Sequence, residues 1–215
     1  MKYILKSFIK HIILYFVKFA TFLYPYNFHK FVSSCRDILY SKWLIYQMPN
    51  VSGTSVIGRH SFVIGKKYIK IGKASYIGKN AVLTAWDCYK PTGQNFSPQI
   101  VIGNEVNIGD FCHITAVNKI IIEDGVLTGR RVTITDNSHG IFIEGELKMR
   151  PVERPLYSKG EVFIGRNVWI GDKVTILPGI HIGEGSIIAA NTVVTKNVPS
   201  FSVCAGNPGK IVKVL

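Results

Sequence analysis

The sequence predicts an all-β fold class, a parallel β-helix built from short repeats, preceded by an N-terminal helical segment. Three observations predict it: aliphatic residues recur every six positions from about residue 56, the first 24 residues show helical periodicity, and two longer segments interrupt the repeat. With 215 residues the chain can bury the core of one domain of ordinary size. We expect residues 1–50 to form the helical segment and residues 51–215 to form the β-helix.

The first 24 residues predict an amphipathic helix, because at about 100° per residue the polar and apolar side chains separate onto two halves. The polar half holds Lys2, Lys6, Ser7, Lys10, His11, Lys18 and Thr21, and the apolar half holds Ile4, Leu5, Phe8, Ile9, Ile12, Tyr15, Phe16, Phe19, Phe22 and Leu23. Ile13, Leu14 and Val17 intrude on the polar half. The lysines disfavour a transmembrane span, and no small-residue cleavage site follows as in a secretory signal.

This layout is typical of a basic helix that lies in a membrane interface. The alternative is a helix whose apolar face packs on the rest of the protein or on a neighbouring subunit, and the sequence leaves both open. Residues 1–50 hold seven Lys or Arg against one acid, Asp37, which favours an anionic leaflet. We expect a cytoplasmic protein, with peripheral contact at the inner face of the cell membrane through residues 1–24 as the open alternative.

The charge and the cysteine content of the chain limit the classes of ligand and partner that it is expected to bind. A formal charge of +13 and a pI near 9.6 indicate an anionic partner: nucleic acid, a membrane surface or a phosphorylated ligand. No aromatic-basic module or helix-turn-helix signal supports nucleic acid. The four cysteines (Cys35, Cys88, Cys112 and Cys204) are scattered without a CxxC pair. We interpret them as reduced thiols and expect no metal site.

A six-residue repeat dominates the chain after the helical segment. Its lead residues are Ile71, Ile77 and Leu83; Ile102, Ile108 and Ile114; Ile122, Thr128 and Ile134; and Ile164, Ile170, Ile176, Ile182, Ile188 and Val194. A helix has a period of 3.6 and an open strand a period of 2, so six fits neither. A chain that turns three times per coil explains the spacing, with each lead residue stacked on its copy eighteen residues later.

Two segments interrupt the repeat, residues 85–99 and 140–160, and loops that project from a rigid scaffold often carry binding sites. His139 lies at the start of the second segment, just after Asp136 and Asn137. An imidazole can remove a proton from a hydroxyl near neutral pH, and an oxygen on its other nitrogen would fix the tautomer. His139 is therefore the candidate base, with Asp136 and Asn137 as candidates for its support.

Two stretches carry a resemblance to a known family: "VLTGRRVTITDNSHG" (Val126–Gly140) and the segment Ile164–Leu215. The second contains Trp169-Ile170-Gly171, Val194-Thr195-Lys196 and Gly206-Asn207-Pro208. On these residues the chain resembles the hexapeptide-repeat acyltransferases, in particular the sugar and polysaccharide O-acetyltransferases and the maltose and galactoside O-acetyltransferases. The resemblance runs from about residue 55 to the end and implies a left-handed parallel β-helix.

The resemblance also implies a reaction. Acetyl-CoA would be the co-substrate and a glycan of surface polysaccharide biosynthesis the acceptor, with direct transfer and His139 as general base. Homotrimers with active sites between subunits would be the working form. The cofactor contacts of the family fall on Asp172, Ala190, Thr195, Lys196, Lys210 and Lys213. We also expect Trp169 to bind the cofactor, by stacking against the CoA arm, with a sugar as the alternative partner. Ammonium groups suit the phosphates of CoA, although lysines replace the arginines that related enzymes often carry at the last two positions.

The resemblance does not identify the oxyanion donor or the acceptor contacts. Gly109 aligns where galactoside-type enzymes hold the oxyanion with an Asn, so a backbone N–H or His113 is the expected donor. His113 is equally suited to an acceptor-site or a structural role. We expect Trp86, Asp87 and Asn118 as candidate acceptor contacts.

Four alternatives stay open at this point. Within the transferases they are N-acetylation of an amino sugar and acetylation of a xenobiotic or of serine. Outside enzymes, a scaffolding β-solenoid is the alternative, although it predicts unbroken coils. A zinc enzyme of the carbonic-anhydrase-like kind is disfavoured, because His60, His113, His139 and His181 never approach within 26 residues of each other in sequence.

Overall fold

The computed structural model describes residues 2–141 and 143–214 and divides into two compact units, residues 1–39 and 40–215. The side chains of Lys2 and Ile4, which the helical wheel included, lie outside the described part, as do Met1, Phe142 and Leu215. The first unit contains helix α1 (Lys2–Leu23) and the start of helix α2 (Tyr26–Ile45).

The described side chains of helix α1 are exposed except that of Ala20, which is half-buried, and the exposed apolar ones include Phe8, Ile12 and Phe19. Taken singly, no helix in the described residues is both long and apolar enough to cross a bilayer. By length and composition, Leu5–Leu23 and Tyr26–Ile45 pass that test only as a pair, with a bend of 56° between them.

The second unit begins with the last residues of α2, which cover the first coil of the solenoid. Leu44 and Ile45 are buried in the core, and the Ser41 hydroxyl accepts a hydrogen bond of 2.9 Å from the backbone N–H of Ile57. The Tyr40 hydroxyl donates to the carbonyl of Ser61 at 3.0 Å. This end of the solenoid is therefore closed by a helix rather than left as open strand edges.

Three sheets form the solenoid, and each of the first five coils contributes one short strand to each sheet. The first sheet, in spatial order, contains β1 (Val56–Ile57), β4 (Tyr76–Ile77), β9 (Asn107–Ile108), β12 (Leu127–Thr128), β17 (Trp169–Ile170), β20 (Ile187–Ile188), β22 (Ser202–Ala205) and β23 (Lys210–Val214). The second contains β2 (Phe62–Ile64), β5 (Val82–Ala85), β10 (His113–Ala116), β13 (Thr133–Thr135), β18 (Thr175–Ile176) and β21 (Val193–Val194). The third contains β19 (His181–Ile182), β16 (Val162–Ile164), β11 (Lys119–Ile122), β8 (Gln99–Ile102) and β3 (Ile69–Ile71). Pairing is parallel throughout these sheets except between β22 and β23, which are antiparallel.

The remaining elements belong to the two interruptions. The first contains an antiparallel pair, β6 (Cys88–Tyr89) and β7 (Gln94–Asn95). The second contains β14 (Ser138–His139) and β15 (Leu156–Tyr157), also antiparallel, with the short helix α3 (Glu144–Leu147) and a 3₁₀ turn (Pro151–Glu153) between them.

The aliphatic lead residues form the core, as the repeat predicts. Ile170 pairs with Ile188 and Ile176 with Val194, eighteen residues apart, and all four are almost fully buried. The prediction of eighteen is wrong for the earlier coils: Ile114 pairs with Ile134, twenty residues away. The repeat slips by two at Val117 and Asn118, between β10 and β11.

Where a glycine follows a lead residue, as at Gly72, Gly109 and Gly171, the space between coils requires it. A Cβ at Gly171 would lie 2.5 Å from the backbone N of Ala190 in the next coil, and its φ is outside the left-handed region. Close approach between neighbouring coils, and not an unusual backbone conformation, therefore accounts for glycine at this position.

Candidate active site

His139 is presented on a two-residue antiparallel hairpin that leaves the solenoid after β13. It pairs with Leu156, while Ser138 pairs with Tyr157. The backbone N–H of Gly140 donates to the carbonyl of Pro155 at 2.8 Å, which closes the next step of this ladder. The imidazole of His139 is exposed, and the following residue, Gly140, is buried.

Asp136 fixes the turn from which this hairpin leaves the coil. Its carboxylate is fully buried and accepts hydrogen bonds from the backbone N–H groups of Val117 and Asn118 at 2.9 and 2.8 Å. The side-chain amide of Asn137 donates to the same carboxylate at 3.0 Å. In the described part of the chain, no hydrogen bond joins Asp136 to His139. The carboxylate instead anchors the hairpin to the preceding coil, and buried charge is tolerated because three donors surround it.

Two cavities lie on opposite sides of the hairpin strand, because side chains alternate between the two faces of a strand. The histidine cavity has a volume of about 370 Å³ and is lined by Phe62, Val82, Thr84, Trp86, Tyr89, His113, Thr115, Asn137, His139 and Leu156. The apolar cavity has a volume of about 560 Å³ and is lined by Ser138, Gly140, Ile141, Tyr157, Lys159, Leu177, Pro178 and Thr195. Asn137 and His139 thus face one cavity, and Ser138 and Gly140 face the other.

The histidine cavity brings together groups that bind hydroxyls. His113 and His139 both line it, and the Tyr89 hydroxyl is 3.5 Å from Nδ1 of His139. The Thr84 hydroxyl also faces it, and this buried atom has no hydrogen-bond partner among the described residues. Trp86 adds an aromatic wall. A polar ligand with several hydroxyls is the chemistry that fits this lining.

A third cavity, at the C-terminal end, shares the lining residue Thr195 with the apolar cavity. It is lined by Thr195, Lys196, Asn197, Val198, Cys204, Pro208, Gly209, Lys210 and Ile211, with a volume of about 310 Å³. Lys196 and Lys210 supply two ammonium groups there. An apolar cavity next to one with cationic groups fits a long ligand that has an apolar arm and a phosphorylated end, such as CoA.

The other predicted cofactor contacts lie apart from these three cavities. The Asp172 carboxylate accepts a 2.8 Å hydrogen bond from the backbone N–H of Arg130, so it joins two coils. Ala190 lies in the turn after β20, close to Gly171. Trp169 is exposed on the first sheet between Leu127 and Ile187, and Lys213 is exposed on β23.

Two of the three predicted acceptor contacts are also outside the histidine cavity. The Asp87 carboxylate accepts from the Tyr68 hydroxyl at 3.0 Å and lies 3.6 Å from Nζ of Lys67. The side-chain amide of Asn118 donates to the Ser158 hydroxyl at 3.4 Å. Of the three, Trp86 alone lines the cavity that contains His139.

Several residues of the site were not predicted from the sequence. Tyr89 is 50 positions from His139, and Gln94 is 62 from Leu156, so no local spacing connects them. Thr84 looked like an ordinary repeat residue. The available signal was the aromatic and polar content of the first interruption, which contains Trp86, Tyr89 and Gln94. Among the described residues, no group of three or more His, Cys, Asp or Glu side chains is arranged to hold a metal ion.

Comparison with known proteins identifies the family. Residues 161–196 match the family described as bacterial transferase hexapeptide (six repeats). Galactoside O-acetyltransferase of Escherichia coli K12 is 30% identical over 192 residues, which cover 85% of this chain and 83% of that protein. The chain therefore belongs to the hexapeptide-repeat transferase family.

Other relatives match shorter stretches. A Lysinibacillus sphaericus protein named as a probable macrolide acetyltransferase is 43% identical over 112 residues, covering 52% of this chain and 61% of that one. An E. coli K12 protein named for O-acetyl transfer in lipopolysaccharide biosynthesis, WbbJ, is 36% identical over 117 residues, covering 53% of this chain and 60% of that one. This chain thus spans about 60% of the length of these two relatives.

Among solved structures, a single-site mutant of AntD, an N-acyltransferase from Bacillus cereus in complex with dTDP and coenzyme A, superposes with a TM-score of 0.65. The match covers 81% of this chain and 90% of that one at 18% identity. At this identity the likeness concerns the fold.

Partial removal from water lowers the pKa of His113 below its ordinary value of 6.5. The folded protein therefore disfavours the imidazolium at this position, and stability falls as pH drops from the unfolded pKa of about 6.5 through the lower folded value. We expect NMR titration of ¹⁵N-labelled histidines to give His113 a midpoint below 6.5, with the urea-unfolded chain as control. A folded midpoint at or above 6.5 would contradict this.

Proposed function

We propose that this chain is an acetyl-CoA-dependent O-acetyltransferase that acts on a sugar hydroxyl in surface polysaccharide biosynthesis. The observation that carries the proposal is the position of His139, on a strand with one cavity suited to hydroxyls on one side and one suited to an apolar arm on the other. Names of relatives support the class: galactoside O-acetyltransferase and O-acetyl transfer in lipopolysaccharide biosynthesis. The parallel solenoid would wind left-handed, with residues 51–215 as the catalytic domain.

In this proposal acetyl-CoA supplies an activated acetyl thioester. The residues of the chain bind both substrates and move the proton. Thr195, Lys196 and Lys210 would hold the pantetheine arm and the phosphates, and Trp169, Asp172, Ala190 and Lys213 would contribute from the subunit interface. Trp86, Thr84 and His113 would hold the acceptor, with Asp87 and Asn118 at its outer end.

His139 then acts as general base. Its free ring nitrogen accepts the proton of the acceptor hydroxyl while that oxygen forms a bond to the acetyl carbonyl carbon. The carbon–sulfur bond breaks as the tetrahedral intermediate collapses, and the imidazolium returns its proton to the departing sulfur. No acyl-enzyme forms. Each turnover consumes one hydroxyl and one thioester and produces one acetyl ester and one free thiol.

Replacing the base tests the reaction. We expect His139→Ala to retain acetyl-CoA binding and to lower turnover by about 10²–10⁴-fold, the usual contribution of a positioned base. Released thiol is the readout, with a mixed panel of glycan and amino-sugar acceptors. His181→Ala is the matched control, because that histidine is exposed on the third sheet outside the cavities. Undiminished turnover in His139→Ala would contradict the assignment of His139 as the general base.

A homotrimer is part of the proposal, because the predicted cofactor residues Trp169 and Lys213 are exposed and apart from the cavities of a single chain. A neighbouring subunit would bring these faces to a shared site. We expect light scattering to give three times the chain mass of 24.0 kDa. A stable monomer at working concentration would contradict the shared site.

We further propose that residues 1–24 attach the protein to the cytoplasmic face of an anionic membrane. Charge supports this: residues 1–86 contain thirteen of the 26 Lys and Arg but one of the 13 acids, so their formal charge is +12 against +1 for residues 87–215. Exposed Phe8, Phe16 and Phe22 on α1 supply apolar contact. Lys6, Lys10 and Lys18 supply attraction to anionic headgroups.

Vesicle binding measures this contact. We expect the full chain to sediment with vesicles of equal parts phosphatidylcholine and phosphatidylglycerol, but far less with phosphatidylcholine alone. Each of Lys6→Gln and Lys10→Gln should weaken binding about fivefold, since a lysine near the surface contributes roughly 1 kcal/mol. Lys148→Gln on α3 is the control. Equal binding to both vesicles, or none to either, would overturn the proposal.

A further inference from the structure

The two interruptions of the solenoid are joined by hydrogen bonds, although about 60 residues separate them. The side-chain amide of Gln94 accepts from the backbone N–H of Leu156 at 2.7 Å and donates to the carbonyl of the same residue at 3.0 Å. Leu156 pairs with His139 on its other side. Gln94 therefore occupies the place of a third strand beside the hairpin and leaves neither backbone group of Leu156 unpaired.

Tyr89 makes the second connection, and it reaches the imidazole itself. Its ring meets that of His139 edge-on, with centroids 5.7 Å apart. Its hydroxyl donates to the backbone carbonyl of Val152 and lies 3.5 Å from Nδ1 of His139. Tyr89 is half-buried, so its ring and hydroxyl are held by their surroundings.

These contacts favour one position for the proton of the imidazole ring. A phenol has one hydrogen, and that of Tyr89 is donated to Val152. Toward His139 the hydroxyl can therefore only accept, which favours hydrogen on Nδ1 and leaves the lone pair on Nε2. A separation of 3.5 Å is long for a hydrogen bond, so the contact biases the imidazole without locking it.

We propose that Tyr89 and Gln94 are positioning residues for His139, and that the first interruption exists to hold the base in the second. The proposal rests on the proposed function, in which the free ring nitrogen of His139 removes the acceptor proton, and it assigns that nitrogen to Nε2. Tyr89 selects the reactive tautomer, and Gln94 keeps the hairpin at the depth where His139 lines the cavity.

Tyr89→Phe removes one hydroxyl and keeps the ring. We expect it to lower kcat about tenfold, less than the 10²–10⁴ expected for loss of the base, with KM for acetyl-CoA and acceptor unchanged. The ¹⁵N NMR spectrum of His139 should change from the Nδ1–H tautomer to a mixture. Tyr46→Phe, at an exposed position after α2, is the matched control.

Gln94→Met keeps the side-chain length without the amide. We expect lower kcat and faster hydrogen exchange at the Leu156 amide, whereas Gln99→Met on β8 should change neither. An unchanged tautomer in Tyr89→Phe would overturn the proposal, and so would a rise in the acceptor KM with kcat intact, which would make Tyr89 an acceptor contact. The tautomer readout needs no turnover. A shift in Tyr89→Phe alongside an inactive wild type would therefore support the positioning role while the proposed reaction fails.

Discussion

Stacking of aliphatic side chains along one internal column is the constraint on which the rest of the structure depends. Ile134, Ile176 and Val194 lie in register within the second sheet, and each is almost fully buried. Because every coil must place its residue over the last, the backbone ladder has little freedom to slide. A loop inserted into one coil therefore projects from a fixed position along the solenoid axis and from a fixed turn of that coil.

The second interruption uses that rigidity. Asp136, three residues before His139, is buried against the backbone of the preceding coil and fixes the point where the chain leaves the solenoid. The short strand that follows separates two cavities simply by alternation of its side chains. A site built in this way needs few dedicated residues, because the scaffold supplies the geometry.

The repeat made most of the solenoid predictable. Periodic lead residues are a local signal that survives in one sequence, and the small inward residues Ser75, Cys112 and Val168 are buried as that period requires. The two extra residues near Val117 are visible in the spacing of the lead residues. Their effect on which residues pair is not, because pairing depends on contacts between one coil and the next. Likewise, the role of Gly171 depends on how closely the next coil approaches, which no single coil contains.

The candidate site was predictable only in part, for the same reason. His139 could be found because it breaks a pattern, and Lys196 and Lys210 because a motif carries them. Tyr89, Gln94 and Thr84 enter the site through contacts between segments far apart in sequence. Residues such as Trp169 and Lys213 lie on exposed faces, where a single chain does not determine their partners.

The most direct test of the central claim, that the hairpin strand separates two substrates, is a crystal structure with CoA bound. We expect the sulfur of CoA to reach the strand Ser138–Gly140 from the cavity lined by Leu177 and Thr195, opposite to His113. A sulfur found among Thr84, Trp86 and His113, or a CoA that avoids the hairpin altogether, would contradict it.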